Sequence, residues 1–309
     1  MKKFIFHIAK IALLFVGLLI FLDLIYTTLF LQTKNKSKLN WVMNMHNRQV
    51  DYVILGSSRV LFHLDTDLIN DSTGLEGYNL GEPDYGLNES LLMLKLFYEQ
   101  GNKAKDVFIQ LDNNWNETTP NELGSAGFMP FIHKKNIRNH YAQYGLKYKL
   151  YNHLPFVRYM HYAHAIGFRG LINALLNDQP RSSTYGYDNL KGNIKPDEII
   201  TESFSPSPCN PIADKMIQIT KVNHGKIIFF TAPTLKYKQK DFELLSTKVV
   251  NYTNFANSIS DTSLFYDPIH LNDKGADKFT KDFMHHYYKN KTRGQTGNCQ
   301  TAHSINVKK

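Results

Sequence analysis

Lys226-Ile227-Ile228-Phe229-Phe230-Thr231, closed by Ala232-Pro233, is apolar at almost every position. A strand with one wet face alternates polar and apolar residues, because successive side chains point to opposite faces. A run without alternation has no face for water. It predicts a parallel strand buried between two layers. Upstream, Arg48–Leu55 (RQVDYVIL) reads as another strand, ended by Gly56-Ser57-Ser58, small residues that suit a sharp strand-to-helix turn. Gly77–Gly81 and Asp106–Leu111 read as two more strands, the second closed by Asp112-Asn113-Asn114. Ser263–Tyr266 is read as the fifth. Helical stretches lie between them: Gly86–Gln100, with Leu87, Leu91, Leu92, Leu94 and Leu96 on a mainly apolar face, and Asp273–Lys289 at the end. Strands alternating with helices argue for a three-layer α/β domain with a central parallel sheet.

In such sheets functional groups gather beyond the carboxyl ends of the strands. Ser58, Gly81, Asn113, Asn114, Asp267 and His270 all fall just after expected strands. The stretch Asp267-Pro268-Ile269-His270 sets a carboxylate three residues before an imidazole. A carboxylate so placed can fix the imidazole's tautomer and steady its charge while the other ring nitrogen takes a proton from a nucleophile. The hydroxyl of Ser58 is the candidate nucleophile. Each residue also has a plain structural reading. Gly-Ser-Ser after a strand serves as a turn with an N-cap, and Gly81 as a turn glycine. His270 could stand at a helix start with Asn272 or Asp273 as its cap, and Asn113 and Asn114 could simply end a strand.

The first thirty or so residues form one hydrophobic segment. Ile11–Leu31 carries a single charge, Asp23, and at about 1.5 Å rise per residue it can cross a bilayer of roughly 30 Å. Asp23 would cost about 3 kcal/mol at the bilayer centre but lies nearer the far end. A cleaved signal peptide is the rival reading. The run exceeds the usual apolar core of a signal peptide and no A-x-A-like site follows, which favours an uncleaved anchor over residues 1–32. Lys2, Lys3 and Lys10 on one side balance Lys34, Lys36 and Lys38 on the other, so charge does not set the orientation.

Gln32–Leu39 reads as a polar linker, and residues 33–290 as one α/β domain. Alternation stops across an insertion at about 116–212, rich in Tyr, His, Phe, Lys and Arg, with helices expected over Lys134–Tyr144 and Val157–Leu176. Its aromatic side chains could stack on sugars or form a satellite core. Residues 291–309 are polar and are expected to fray. The net charge of +9 permits anionic partners, but the basic residues are scattered and the anchor argues against nucleic acid. Cys209 and Cys299 have no metal-ligand spacing, so neither a metal nor a cofactor is expected. In an exported domain the two could pair.

At these residues the chain resembles the SGNH, or GDSL-type, hydrolases and acyltransferases. Gly56-Ser57-Ser58-Arg59 resembles their nucleophile block, with Ser57 where an aspartate is usual and Arg59 where a leucine is usual. Asn79-Leu80-Gly81, with Gly86 beyond it, resembles the glycine block. Asp112-Asn113-Asn114 stands for the asparagine block, without its Gly-x-Asn-Asp pattern, and Asp267–His270 with the following LNDKG stands for the base block. The resemblance covers roughly residues 50–115 and 225–285. It implies a flavodoxin-like domain, with Ser58 as nucleophile, His270 as base and then acid, and Asp267 as its orienting group. It further implies an oxyanion held by the N–H groups of Ser58 and Gly81 and by an amide of Asn113 or Asn114. The Gly-Ser-Ser variant with an N-terminal anchor is similar to the membrane-bound branch, which includes proteins that place D-alanine on teichoic acids or acetyl groups on exported polysaccharides. That similarity implies an esterase or O-acyltransferase acting on a cell-envelope glycan, on the outer side of the cytoplasmic membrane and beside a membrane acyl-donor protein. The alternative is a non-catalytic scaffold or glycan-binding subunit on the same fold.

Overall fold

The computed structural model describes residues 1–32, 37–176, 183–195, 199 and 201–292. In chain order the first elements are α1 (Lys2–Gln32), α2 (Lys38–Asn44), β1 (Gln49–Leu55), α3 (Ser58–His63), α4 (Thr66–Thr73), β2 (Gly77–Asn79), α5 (Leu87–Glu99) and β3 (Lys103–Gln110). A helical stretch follows, with α6 (Glu122–Ser125), α7 (Lys135–Ala142), α8 (Leu146–His153), α9 (Val157–His161), α10 (Ala163–Ile166) and α11 (Phe168–Leu176). The chain then returns to the sheet through α12 (Pro211–Val222), β4 (Lys226–Thr231), α13 (Gln239–Ser246), β5 (Tyr252–Asn254) and α14 (Asp273–Thr292).

The five strands form one sheet in the order β2-β1-β3-β4-β5, every pairing parallel. The alternation missing from the sequence of β4 is explained by its surroundings. Ile227 and Phe229 enter the core shared with Leu91, Leu94 and Met216, while Ile228 and Phe230 enter the opposite core with Phe279 and Phe283. β1 and β3 behave likewise, Val53 and Val107 facing one layer, Ile54 and Phe108 the other. Burying one such side chain is worth about 1.5–3 kcal/mol, so helices must cover both faces. Local signals set the helix ends. Asp65 caps α4 by accepting the N–H of Leu68 at 3.1 Å, and Gly74 ends it at a φ of 70°. Asn210 caps α12 ahead of Pro211.

The fifth strand differs from the sequence reading. Ser263–Tyr266 is not a strand: Asp261 accepts the N–H of Ser263 and starts a 3-10 turn over Thr262–Leu264. The edge strand is Tyr252–Asn254, three residues paired with β4 and half-buried, too short and too polar to announce itself. The helix expected over Val157–Leu176 is broken into three, with bends at Tyr162 and Gly167, whose missing Cβ would otherwise lie 2.4 Å from the Ala163 carbonyl. Ser37 caps α2 where a linker was expected. The remainder of that linker, residues 33–36, lies outside the described residues, as does Cys299 and with it the question of a disulfide. Cys209 is exposed. The polar tail from 293 onward is also outside them.

Two buried cations tie the N-terminal helices to the rest. Lys38 donates from Nζ to Asn79 Oδ1 (3.2 Å), Gly81 O (2.7 Å) and Gly186 O (2.6 Å). Arg158 holds Asp23 of α1 through both oxygens, at 2.7 and 2.9 Å, while Phe156 N–H donates to the same carboxylate at 2.6 Å. Between β3 and α12 the aromatic residues Tyr141, Tyr148, Tyr151, Tyr159 and Tyr162 are buried, so they form a core rather than an open stacking surface.

Candidate active site

The strand order reverses at β1: β2 lies on one side of it and β3 on the other. A crevice therefore opens at the carboxyl ends of β1 and β3. At the end of β1, Gly56 passes so close to its neighbours that a Cβ would lie 2.6 Å from Val60 and 2.7 Å from Gln110. Only glycine fits there. Ser57 then caps α3: its Oγ accepts the N–H of Arg59 at 3.3 Å and donates to Gln110 Oε1 at 2.9 Å, with its own N–H on the same oxygen at 3.1 Å. This leaves Ser58 as the first residue of α3, with a half-buried hydroxyl facing the crevice.

His270 lies on a loop that closes on itself rather than on a strand end. Tyr266 N–H donates to His270 O at 2.8 Å, and Phe265 bridges Leu271. Inside the loop Asp267 Oδ1 accepts the N–H groups of Ile269 (2.8 Å) and His270 (2.9 Å), while Oδ2 meets His270 Nδ1 at 2.7 Å. Half-burial pushes the Asp267 carboxyl up. The hydrogen bond and charge of His270, with the two backbone N–H groups, outweigh it and hold the carboxyl below its ordinary range. An ionised Asp267 requires the proton on Nδ1, which leaves Nε2 as an acceptor. Ser58 Oγ stands 2.7 Å from that nitrogen. Ser58, His270 and Asp267 are thus brought into one hydrogen-bonded chain.

Two further groups support the loop. His63, at the end of α3, accepts Leu271 N–H on Nε2 at 2.9 Å, and Leu235 N–H donates to Pro268 O at 2.9 Å. Burial, with the charges of Arg59 and His270, holds His63 well below the ordinary imidazole pKa, so it is a neutral acceptor. Beneath Ser58, Arg59 is buried and spans three strand ends. It reaches Asp112 Oδ2 at 3.2 Å after β3, and Ala232 O and Pro233 O (3.3 Å) after β4. Gln110 Nε2 joins the same Asp112 oxygen at 2.7 Å. A buried pair of this kind adds little net stability, but removing one partner strands the other.

The residues expected to hold an oxyanion divide. Gly81 is not available: its N–H donates to Asn79 Oδ1 at 3.1 Å. Its missing Cβ is required instead by α3, since a methyl there would lie 2.6 Å from Val60 Cβ and 2.9 Å from Leu61 N. The N–H of Ser58 has no partner among the described residues. Asn113 and Asn114 both line a cleft of about 150 Å³ with Ser58, Asp84, Glu117 and Tyr237. Asn113 is exposed; Asn114 is buried and lines the cleft, its Oδ1 accepting Asp112 N–H at 3.4 Å. Burial and the charge of Asp112 push the Glu117 carboxyl up.

Gln110, Asp112, His63 and Glu117 were not expected as site residues. A glutamine closing the apolar run Val107–Ile109 was a signal for the first. His63 gave none, because its role depends on a partner more than two hundred residues away in the chain. Among the described residues no group of three His, Cys, Asp or Glu side chains is placed to hold a metal. No protein-family model matches the chain and no curated protein matches it, so the site is read from its own geometry.

Proposed function

We propose that the chain is a serine esterase or O-acyltransferase of the SGNH kind, acting on acyl or acetyl esters of a cell-envelope polysaccharide. The observation that carries this is the hydrogen-bonded chain Ser58 Oγ, His270 Nε2, His270 Nδ1, Asp267, each contact at 2.7 Å. Supporting it, the strand order 2-1-3-4-5 is that of flavodoxin-like sheets, which hold ligands where the order reverses.

In this reading Ser58 Oγ attacks the ester carbonyl as its proton passes to His270 Nε2. Asp267 keeps the imidazolium aligned. The negative oxygen is met by the Ser58 N–H and the Asn114 amide, a donor of this kind being worth roughly 3 kcal/mol in the transition state. His270 returns the proton to the leaving alkoxide, and the acyl group stays on Ser58. Water or a sugar hydroxyl, deprotonated by His270, then takes the acyl group and frees Ser58. The glycan acceptor, a membrane acyl-donor partner and a place outside the cytoplasmic membrane follow from the resemblance. α1, a helix of Lys2–Gln32 long and apolar enough to cross a membrane, supports attachment to a membrane but not the side on which the domain lies.

The test is covalent labelling of the detergent-solubilised chain by a fluorophosphonate probe. Ser58→Ala is expected to abolish labelling and His270→Ala to reduce it nearly to background; undiminished labelling of Ser58→Ala overturns the assignment. The engagement of the Gly81 N–H by Asn79 favours a second reading, a scaffold on the same fold that keeps the geometry without efficient chemistry. A folded wild-type chain that takes up no probe would support it.

A further inference from the structure

We propose that the helical stretch α8–α11 rests against the lipid bilayer and forms, with α1, one membrane-docked surface; this builds on the reading of α1 as a membrane anchor. The apolar face of α1 is not uniform. Its first two-thirds is exposed, from Phe4 to Phe21, whereas Asp23 and Tyr26 are buried against the domain. Tyr26 meets Phe156 edge-on at 5.0 Å, and Phe30 stacks on Tyr159 at 6.1 Å. Asp23 is gripped by Arg158, whose other contact on α1 is Thr27 Oγ1 at 2.8 Å.

This pair fixes depth. If the exposed stretch Phe4–Phe21 crosses the bilayer, Asp23 lies about 3 Å of helix rise beyond Phe21, at the membrane surface. Arg158 neutralises its charge there. Arg158 belongs to α9, so α9 must sit at the depth of Asp23, and the neighbouring helices come with it.

The surface there suits lipid. Outside α1, most of the exposed large apolar side chains among the described residues lie between Leu123 and Leu176. They include Leu146 (69% exposed), Met160 (52%), Phe168 (72%) and Leu176 (76%). α11 packs directly on α1. The tyrosines of this stretch already fill its interior, so these side chains have no core left to join. The exposed Lys149 and Arg169 lie among them and suit anionic headgroups.

The test uses the full chain carrying Cys209→Ser and Cys299→Ser, with a bimane probe on one new cysteine, in phosphatidylcholine–phosphatidylglycerol vesicles containing acyl-brominated lipid. Probes at Leu18→Cys and Phe168→Cys are expected to lose most of their fluorescence, and one at Val222→Cys on α12 to keep it. Quenching at Leu18→Cys but not at Phe168→Cys overturns the docking while leaving the anchor intact. A Phe168→Cys probe shielded from both lipid bromine and aqueous iodide also overturns it, in favour of a protein partner. If Leu18→Cys is unquenched and alkaline carbonate releases the chain, the anchor reading itself fails.

Discussion

His63 Nε2 accepts the backbone N–H of Leu271 at 2.9 Å, joining the helix that carries Ser58 to the loop that carries His270. The bond exists only while the imidazole is neutral, which its burial ensures. His63→Phe keeps the bulk but leaves a buried N–H unpaired. It should lower stability by about 1–3 kcal/mol in denaturant titration and slow probe labelling, with His63→Gln recovering part of both. The folded pKa is depressed below the unfolded 6.5, so the unfolded chain binds more protons as pH falls. Stability is therefore full above that value and declines below it, and His63→Gln should remove this part of the slope.

The two asparagines after β3 are expected to separate. Asn114→Ala should slow probe labelling by about 10²–10³-fold, without loss of the native fold by circular dichroism. Asn113→Ala, at an exposed side chain, should leave the rate within a few-fold of wild type. Equal losses in both would show that neither amide is specifically placed.

Lys38 provides a second pH dependence in a separate range. Burial, opposed by the charges of Glu82 and Asp188, lowers its ammonium to about 7 from 10.5. Between these values the unfolded chain holds the extra proton, so this residue makes stability rise with pH across that window and fall as pH drops through it. Thermal unfolding in detergent, compared between wild type and Lys38→Met, should show that rise in wild type alone.

Arg158→Met leaves Asp23 enclosed without its cation and should cost about 3–5 kcal/mol. Asp23→Leu added to it should restore most of that loss. A double-mutant cycle by thermal unfolding checks both. Additive effects would mean that the two side chains do not depend on each other.

The sheet was legible because β1, β3 and β4 are buried on both faces, which forces unbroken apolar runs such as Ile227–Phe230. β5 was not, since three half-buried residues carry no periodicity, and the run at Ser263–Tyr266 looked more like a strand than Tyr252–Asn254 does. In the site, the hydrogen bonding of Asp267 to His270 follows from their spacing in one loop. The 2.7 Å approach of Ser58 was expected only from both lying beyond strand ends. The two readings of Gly81 were not separable, because a glycine needed for close packing and one needed for substrate approach look alike in sequence. Only Val60 and Asn79, as neighbours in space, distinguish them.

The grip of Arg158 on Asp23 also bears on how the protein is made. A peptidase cutting between Gln32 and Ser37 would carry away the carboxylate and leave the guanidinium enclosed in the domain without its counterion. Interior charges match only in the uncut chain. The stretch from β3 to α12 therefore has its final packing only with the leading helix in place beside it, and the domain's interior is completed by the segment that the sequence puts first.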